Sequence, residues 1–252
     1  MTRDERWLLE EKYGGRETAG FEKDRRRLER GEPLAYVIGW QPFLGLNIRL
    51  DSKPLIPRVE TEWWVGEMLA EIKEGMLTKT ASDFHFLDLC AGSGAIGCAA
   101  LARLPDIHVS FGEKELRHEA TIRENVRQNG LDAARAHIRT GDLFAPFGGI
   151  RFDAIAANPP YIPEIRGLAR SVAAWEPAEA LRAGSDGLDL IRRIASGLPS
   201  YLTPRGIAWI ECDSAHAEDA RNLFIANGLH AEIHVDQYGA KRVIAASRAS
   251  SN

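Results

Sequence analysis

Cysteine and long apolar runs are both scarce in this sequence. Its 252 residues include only Cys90, Cys98 and Cys212, and no two of them have the CxxC spacing of paired metal ligands. This usage favours free thiols in a reducing compartment and predicts no metal site. The longest uncharged run around the central motif is the 14 residues 89–102, whereas a membrane span needs about 20. Charged residues also occupy the position of a signal-peptide core, so the sequence predicts a cytoplasmic protein.

An excess of positive charge is also absent. Lys and Arg total 32 against 36 Asp and Glu, a formal charge of −4, which argues against a protein that holds duplex nucleic acid by phosphate neutralisation alone. The hydrophobic fraction of 44% is ordinary for a globular chain. We expect one main domain with a small accessory element. The seven histidines show no ligand spacing and are expected on the surface or in packing.

The chain divides into three parts by composition. Residues 1–30 are dense in charge and are predicted to be helical, with Leu8, Leu9, Phe21 and Leu28 as apolar anchors. The arginines at 25–27 and 30 alternate with acidic residues, so we interpret them as a solvated helix face with near ion pairs. Residues 31–58 carry Gly and Pro between short β-type runs, such as 36–38 and 46–50, which predicts a hairpin-like connector. Residues 59–252 form the third part.

The third part has a pattern of alternating strands and helices. Thr61 is predicted to cap a helix that runs to about Leu77. Strands are predicted at Phe84–Leu89, Ile107–Phe111, Ala136–Arg139, Phe152–Ala156, Ile207–Glu211, His230–Val235 and Arg242–Ala246, and helices at Ala95–Leu104, Leu116–Asn129, Leu188–Leu198 and Ala215–Asn227. This alternation indicates an α/β fold with a doubly wound, mostly parallel seven-stranded sheet. The last two strands suggest a closing antiparallel pair.

A glycine-rich segment joins the first predicted strand of this sheet to the next helix. It runs from Asp88 to Gly97 and contains Gly92, Gly94 and an open helix N-terminus, so a ligand can approach the backbone closely. Glu113 ends the next strand, where a carboxylate can accept both hydroxyls of a ribose. Together, the glycine-rich segment and Glu113 predict a cofactor that contains a nucleoside.

The same segment does not identify the cofactor. Residues 92–97 also match the GxGxxG of dinucleotide-binding proteins, and Glu113 lies 21 positions after Gly92, where a dehydrogenase also carries an acid. A glycine-rich turn kept only for helix–strand packing is a further reading. A nicotinamide dehydrogenase and a packing turn therefore stay open at this point.

The segment Asn158-Pro159-Pro160-Tyr161 decides between these readings. It follows a predicted strand at the edge where open α/β sheets bind ligands. A planar NH₂ group is a poor nucleophile, and the Asn158 side-chain oxygen and the Pro159 carbonyl can each accept one of its N–H groups. Tyr161 can stack on its flat face, and two prolines stiffen the loop. Positioning of this kind can lower a reaction barrier by on the order of 7–11 kcal/mol. We therefore favour a site that binds a planar NH₂ group over a turn that only ends the strand.

The glycine-rich segment, Glu113 and the segment 158–161 follow one another in this order along the chain. In that order they resemble the motifs of class I methyltransferases, which use S-adenosylmethionine and here would act on planar NH₂ groups. Other segments are similar to the HemK/PrmC family, the protein-(glutamine-N5) methyltransferases that modify peptide chain release factors. These segments are GEPLAYVIG at 31–39, LIPRVETE at 55–62, the 176–189 segment that contains GSDGLD, and the strand pair from 235 to 243. The resemblance spans residues 31–247.

The resemblance implies a Rossmann-like class I methyltransferase domain over 59–252, preceded by the short helical region and the connector. It implies methyl transfer from S-adenosylmethionine to a glutamine side-chain nitrogen, with S-adenosylhomocysteine as product. The implied cofactor-binding residues are Asp88, Cys90, Ala91, Gly92, Ser93, Gly94, Glu113, Asp142, Leu143 and Asn158. The implied catalytic residues are Asn158, Pro159, Pro160 and Tyr161, with Arg58 and Thr61 closing the site.

The resemblance also implies partners. A release factor is the expected substrate, and a monomer with no membrane contact and no stable nucleic-acid complex is expected. The family's first loop glycine is Cys90 here, and residues 1–30 are shorter than the family's release-factor-docking domain. Alternative readings are an amino methyltransferase that acts on adenine, on guanine or on a ribosomal protein, and a non-catalytic module that binds the cofactor.

Overall fold

Two short helices open the chain in the computed structural model, which describes residues 1–76 and 84–249. They are α1 (Arg3–Tyr13) and α2 (Ala19–Glu29). Thr2 and Thr18 cap them by accepting a backbone N–H from the first turn. Leu8 and Phe21 are buried and pack together with Val37 of the following segment. The helical prediction for residues 1–30 is therefore correct.

The arginines of α2 differ in their surroundings. Arg25 forms surface ion pairs with Glu22 and Glu29, as expected of a solvated helix face. Arg27 instead lies between two buried carboxylates, and its guanidinium donates to Asp24 at 2.9 Å and to Glu32 at 2.8 Å. The pair with Asp24 lies within α2, and the pair with Glu32 fastens α2 to the connector.

The connector contains a helix where the sequence suggested a strand. Residues 36–38 belong to α3 (Leu34–Ile38), so the β-type reading of that run is wrong. Pro33 begins this turn, and Gly39, at φ 101°, ends it. The hairpin follows as β1 (Trp40–Phe43) and β2 (Leu46–Arg49), which pair antiparallel from Trp40 with Arg49 to Phe43 with Leu46.

The main sheet has seven strands within the described residues. The remaining elements are α4 (Val59–Met76), β3 (Phe84–Leu89), α5 (Ala95–Arg103), β4 (Ile107–Glu113), α6 (Glu119–Gln128), β5 (Ala136–Thr140), β6 (Phe152–Ala157), α7 (Arg170–Trp175), α8 (Asp189–Tyr201), β7 (Leu202–Glu211), α9 (Ala217–Ala226), β8 (Leu229–Val235) and β9 (Lys241–Arg248). The strand order is β5-β4-β3-β6-β7-β9-β8. Strands β3 to β7 are parallel, and β9 pairs antiparallel with both β7 and β8. The predicted α/β architecture, including the antiparallel closing pair, is confirmed.

Several element boundaries differ from the predictions. Thr61 does not cap a helix, because α4 begins at Val59 and Thr61 lies in its first turn. The predicted end of that helix at Leu77 lies outside the described residues. Helix α7 falls where a loop was predicted, and β7 begins at Leu202, five residues before the predicted strand. Residues 203–206 have the composition of a turn, yet Leu202 pairs with Phe152 of β6.

Apolar side chains cover both faces of the sheet. Alternate residues of β3 separate accordingly, because Phe86 packs with α4 and α5 while Leu87 and Leu89 pack with α8 and α9. None of the helices in residues 1–76 and 84–249 is long and apolar enough to cross a membrane. The carboxyl ends of β3, β4 and β6 meet at one edge, where the strand order reverses.

Candidate active site

A cavity of about 310 Å³ opens at the carboxyl ends of these central strands. Predicted site residues that line it are Cys90, Ala91, Gly92, Ser93, Glu113, Asp142, Leu143, Asn158 and Pro160. We call the loop of residues 90–94, together with Glu113 and residues 142–143, the glycine wall, although Gly94 itself does not line the cavity. We call the segment of residues 158–161, together with its supports Thr61 and Glu211, the proline wall.

Left-handed backbone shapes the loop of the glycine wall. Cys90, Gly92 and Gly94 have φ angles of 61°, 56° and 78°. A Cβ atom on Gly94 would lie 3.1 Å from Ile122, which strengthens the preference for glycine there. Cys90 adopts the left-handed conformation although it carries a side chain. This conformation costs about 1–2 kcal/mol for a residue with a Cβ atom.

Asp88 lies behind this loop and does not line the cavity. It is 1% exposed, and its Oδ2 accepts the Gly97 N–H at 2.8 Å, which ties α5 to β3. Its Oδ1 has no hydrogen-bond partner within the described residues. Burial raises the pKa of Asp88 well above its ordinary value, and the nearby Glu113 charge adds to that effect. In the structure Asp88 therefore stabilises the loop from behind and does not face the cavity.

Glu113 is the carboxylate that faces the cavity from β4. One of its oxygens accepts the Gly92 N–H at 2.7 Å, and the other accepts the Glu115 N–H at 2.8 Å. A carboxylate has about four lone-pair sites, so each oxygen keeps capacity for one further donor. The side chain is thus fixed by backbone and free to accept two neighbouring hydroxyl groups.

Asp142 and Leu143 form the far end of the glycine wall. Leu143 has a φ of 48° and is nearly buried. Asp142 forms an ion pair with Arg193 at 2.6 Å, and that hydrogen bond holds the pKa of Asp142 below its ordinary value. Arg193 comes from α8, so this pair links the wall to the helix that follows the proline wall.

The proline wall begins directly after β6. The Asn158 Nδ2 donates to the Thr61 hydroxyl at 3.0 Å, and the Tyr161 hydroxyl donates to Glu211 at 2.9 Å. Tyr161 and Pro159 are not among the residues that line the cavity, so the expected stacking of the Tyr161 ring on the target amide stays a prediction. The Tyr161 hydroxyl anchors the segment to the end of β7, and burial raises its pKa well above the ordinary value.

Glu211 receives three hydrogen bonds although it is 1% exposed. Its donors are the Thr61 hydroxyl at 2.7 Å, the Trp64 indole at 2.8 Å and the Tyr161 hydroxyl. Burial raises the pKa of Glu211, while the three donors and the charge of Arg242 act in the opposite direction. Sequence reasoning did not assign Glu211 a role, because its partners lie 50 to 150 positions away.

The backbone at Gly187 packs closely against the end of the 158–161 segment. Gly187 has a φ of 78°, and a Cβ atom there would lie 2.4 Å from the carbonyl oxygen of Tyr161. A contact that short is impossible without moving one of the two backbones. The only residue that fits at this position is therefore glycine.

Arg58 closes the site through Glu176. Its guanidinium donates to one oxygen of Glu176 at 2.6 Å, and the Ile56 N–H donates to the other at 3.1 Å. Glu176 is 6% exposed and follows α7. The contact joins residues 55–58 to the loop between β6 and α8, which together cover one side of the cavity.

His118 is buried against the connector, in keeping with the expectation that the histidines lie on the surface or in packing. It lines the cavity, is 4% exposed and shares a 2.8 Å hydrogen bond between its Nδ1 and the Ser52 hydroxyl. Burial lowers its pKa, which favours the neutral ring at pH 7. No local spacing signals this position, because Ser52 belongs to the connector, 66 positions away.

Comparison with known proteins assigns the family. Residues 74–175 match the model of the methyltransferase small domain. A release factor glutamine methyltransferase from Geobacter sulfurreducens is 37% identical over 205 residues, covering 81% of this chain and 68% of the relative. One from Thermodesulfovibrio yellowstonii is 33% identical and covers 90% of this chain and 80% of the relative. The chain belongs to the release factor glutamine methyltransferase family. This membership rules out the dehydrogenase reading.

Solved structures of other methyltransferases share the fold of this chain. The hMettl16 catalytic domain in complex with MAT2A 3'UTR hairpin 1 matches with a TM-score of 0.58 at 17% identity, covering 82% of this chain and 76% of the other. A methyltransferase from Pyrococcus furiosus matches with a TM-score of 0.55 at 14% identity, covering 89% and 97%. At these identities the likeness concerns the class I methyltransferase fold alone.

Proposed function

We propose that this protein transfers a methyl group from S-adenosylmethionine to the side-chain amide nitrogen of a glutamine in a peptide chain release factor. The observation that carries the proposal is one cavity that holds Gly92, Glu113 and Asn158 together in a chain of this family. The substrate follows from the names of the relatives, which describe release factor glutamine methyltransferases.

The donor set of the glycine wall fits S-adenosylmethionine. Glu113 has acceptor capacity for two ribose hydroxyls, and residues 90–93 offer a close backbone approach for the methionine part. Asp142 and Leu143 would border the adenine side. The cavity volume of about 310 Å³ lies at the lower end of the range for small-molecule pockets. When bound, S-adenosylmethionine supplies an activated methyl group.

The proline wall then holds the target amide. The Asn158 side-chain oxygen would accept one N–H of the glutamine NH₂, and the carbonyl of Pro159, which stands between the two lining residues Asn158 and Pro160, would accept the other. These two bonds would orient the nitrogen towards the glycine wall. The two buried prolines keep this segment stiff and provide no competing N–H donors. The contribution of these residues is alignment, because no metal or covalent intermediate is needed for a displacement of this kind.

A labelling experiment tests the proposal. Purified enzyme is incubated with S-adenosylmethionine carrying a radiolabelled methyl group and with a bacterial release factor. The Gly-Gly-Gln glutamine of that factor is either intact or changed to alanine. We expect label only in the factor with the intact glutamine. Enzyme with Asn158→Ala serves as the control for contaminating activity.

Two results would overturn the proposal. Label in ribosomal RNA or DNA, with none in the release factor, would establish the base-modifying alternative. Label in a ribosomal protein alone would overturn the release factor as the target, and mass spectrometry of the modified residue would show whether a glutamine carries the methyl group. We also expect a monomer that meets the release factor as a transient complex, which light scattering with and without the factor would measure.

A further inference from the structure

A chain of four side chains leads from the interior to the target-facing amide of Asn158. We propose that Trp64, Glu211 and Thr61 are positioning residues that fix which end of the Asn158 amide faces the substrate. The inference deepens the proposed function, since it depends on Asn158 accepting a hydrogen bond from the target NH₂ group. Each step follows from the donor and acceptor capacity of one side chain.

The first step is the indole of Trp64. Trp64 is 1% exposed, and its Nε1 lies 2.8 Å from Oε2 of Glu211. An indole N–H can only donate, so Oε2 must present a lone pair. A carboxylate oxygen without a proton can only accept, so the Thr61 hydroxyl, which lies 2.7 Å from the same Oε2, donates to it. This assignment holds even if Glu211 takes up a proton on Oε1.

The second step is the single hydroxyl proton of Thr61. Because that proton is committed to Glu211, the Thr61 oxygen can only accept from its other neighbour. That neighbour is the amide of Asn158 at 3.0 Å. The amide nitrogen must therefore face Thr61, which leaves Oδ1 of Asn158 for the target. In the opposite orientation two NH₂ groups would face each other, and neither could accept.

The third step is the second oxygen of Glu211. Oε1 accepts the Tyr161 hydroxyl at 2.9 Å. One buried carboxylate at the end of β7 thus holds both the first and the last residue of the 158–161 segment, one through Thr61 and the other directly. A carboxylate with these partners controls the orientation of Asn158 and the path of its loop together.

The experiment compares the loss of this hydroxyl with the loss of a similar one elsewhere. Thr61→Val removes the hydroxyl with little change in volume, and Thr61→Ser keeps it. Thr203→Val is the matched control, because Thr203 also donates to a carboxylate, that of Asp153 at 3.1 Å, at the opposite end of the sheet. Each variant is measured for kcat on the release factor, for cofactor Kd by calorimetry and for thermal stability.

The expected result is a loss of kcat that depends on the Thr61 hydroxyl. Thr61→Val should lower kcat roughly tenfold or more, on the scale of one misdirected hydrogen bond, with cofactor Kd changed less than about threefold. Thr61→Ser should restore most of the rate, and Thr203→Val should leave it unchanged. If valine prevents folding, Thr61→Ala makes the same test.

A second readout needs no substrate. In protein labelled with ¹⁵N-asparagine, the Asn158 side-chain NH₂ signal is identified by its absence in Asn158→Asp. Its hydrogen exchange should be slow in the wild type and in Thr61→Ser, and fast in Thr61→Val and Thr61→Ala. Exchange in Thr61→Val that equals the wild type, or a kcat of Thr61→Val that equals that of Thr203→Val, would overturn the proposed orientation of Asn158 by Thr61. Thr61 would then have a purely structural role. A wild-type enzyme that labels no glutamine would refute the proposed function, while the exchange rates would still decide the orientation of Asn158.

Discussion

The two walls of the cleft are held in place in different ways. The glycine wall consists mainly of backbone, and its central contact, from Gly92 to Glu113, joins residues 21 positions apart. The proline wall is held by side chains, and its contacts join Thr61 and Tyr161 to Glu211 over 150 and 50 positions. A local pattern is therefore sufficient to locate the first wall. The second wall can be located by its motif, but its supports come from tertiary packing.

The largest effect is expected for Asn158→Ala, which changes the proline wall and leaves the glycine wall intact. We expect kcat to fall by about 10² to 10³, because the variant removes the acceptor that orients the target nitrogen. Stability should change little, since Asn158 is half-buried and makes one hydrogen bond within the described residues. Steady-state kinetics and a thermal melt of the same preparation would check this. A variant with near-normal turnover would contradict the role given to Asn158.

Glu113→Ala tests the glycine wall in the same manner. We expect cofactor Kd to rise roughly 10- to 100-fold, because two charge-assisted hydrogen bonds to hydroxyl groups would be lost together with the bonds that fix Gly92. Calorimetric titration measures this directly. Glu113→Gln should give an intermediate value. An equal loss in kcat at saturating cofactor would mean that the two walls are not separable.

The Arg58–Glu176 contact should matter less for chemistry and more for folding. We expect Arg58→Met to lower the free energy of unfolding by about 1–3 kcal/mol, because Glu176 would keep only one donor in a buried position. Denaturation by urea measures this. Combining it with Glu176→Gln should recover part of the loss, and strictly additive losses would show that the two residues do not interact.

The smallest effect is expected at Cys90. Cys90→Gly should raise the free energy of unfolding by up to about 1 kcal/mol, because relief of the left-handed strain is partly offset by the greater entropy of unfolded glycine. Gly92→Ala makes the reverse change, since its Cβ atom would lie at an ordinary contact distance of 3.8 Å from Pro54, and should lower stability by about as much. Cofactor affinity should stay within about threefold for Cys90→Gly. Opposite signs for the two variants would confirm that backbone shapes this wall.

Sequence reasoning was most successful where strands and loops are encoded locally. The seven strands, the Gly92–Glu113 relation and the position of Asn158 after β6 all follow from alternation and spacing. It failed at residues 36–38, where three apolar residues that read as a strand form the helix α3 between Pro33 and Gly39. Short apolar runs fit either structure, and the flanking Pro33 and Gly39 mark the two ends of a helix here.

The rest of the site could not be predicted because it depends on contacts across the fold. Thr61 has the residue type of a helix cap, but its hydroxyl is used by Glu211, which only the packing of α4 on β7 brings close. His118 reaches the cavity through a contact with Ser52 of the connector. Neither partner lies within the window in which residue spacing carries information.

The close fit of Gly187 beneath Tyr161 has a consequence for genetics. A library of random substitutions scored by methylation would rank position 187 among the most sensitive in the chain, although its residue contacts no substrate. Gly187 stands 26 positions after the motif but packs directly against it. We therefore expect related genes that keep the motif to keep this glycine, and genes that lose the motif to lose it as well.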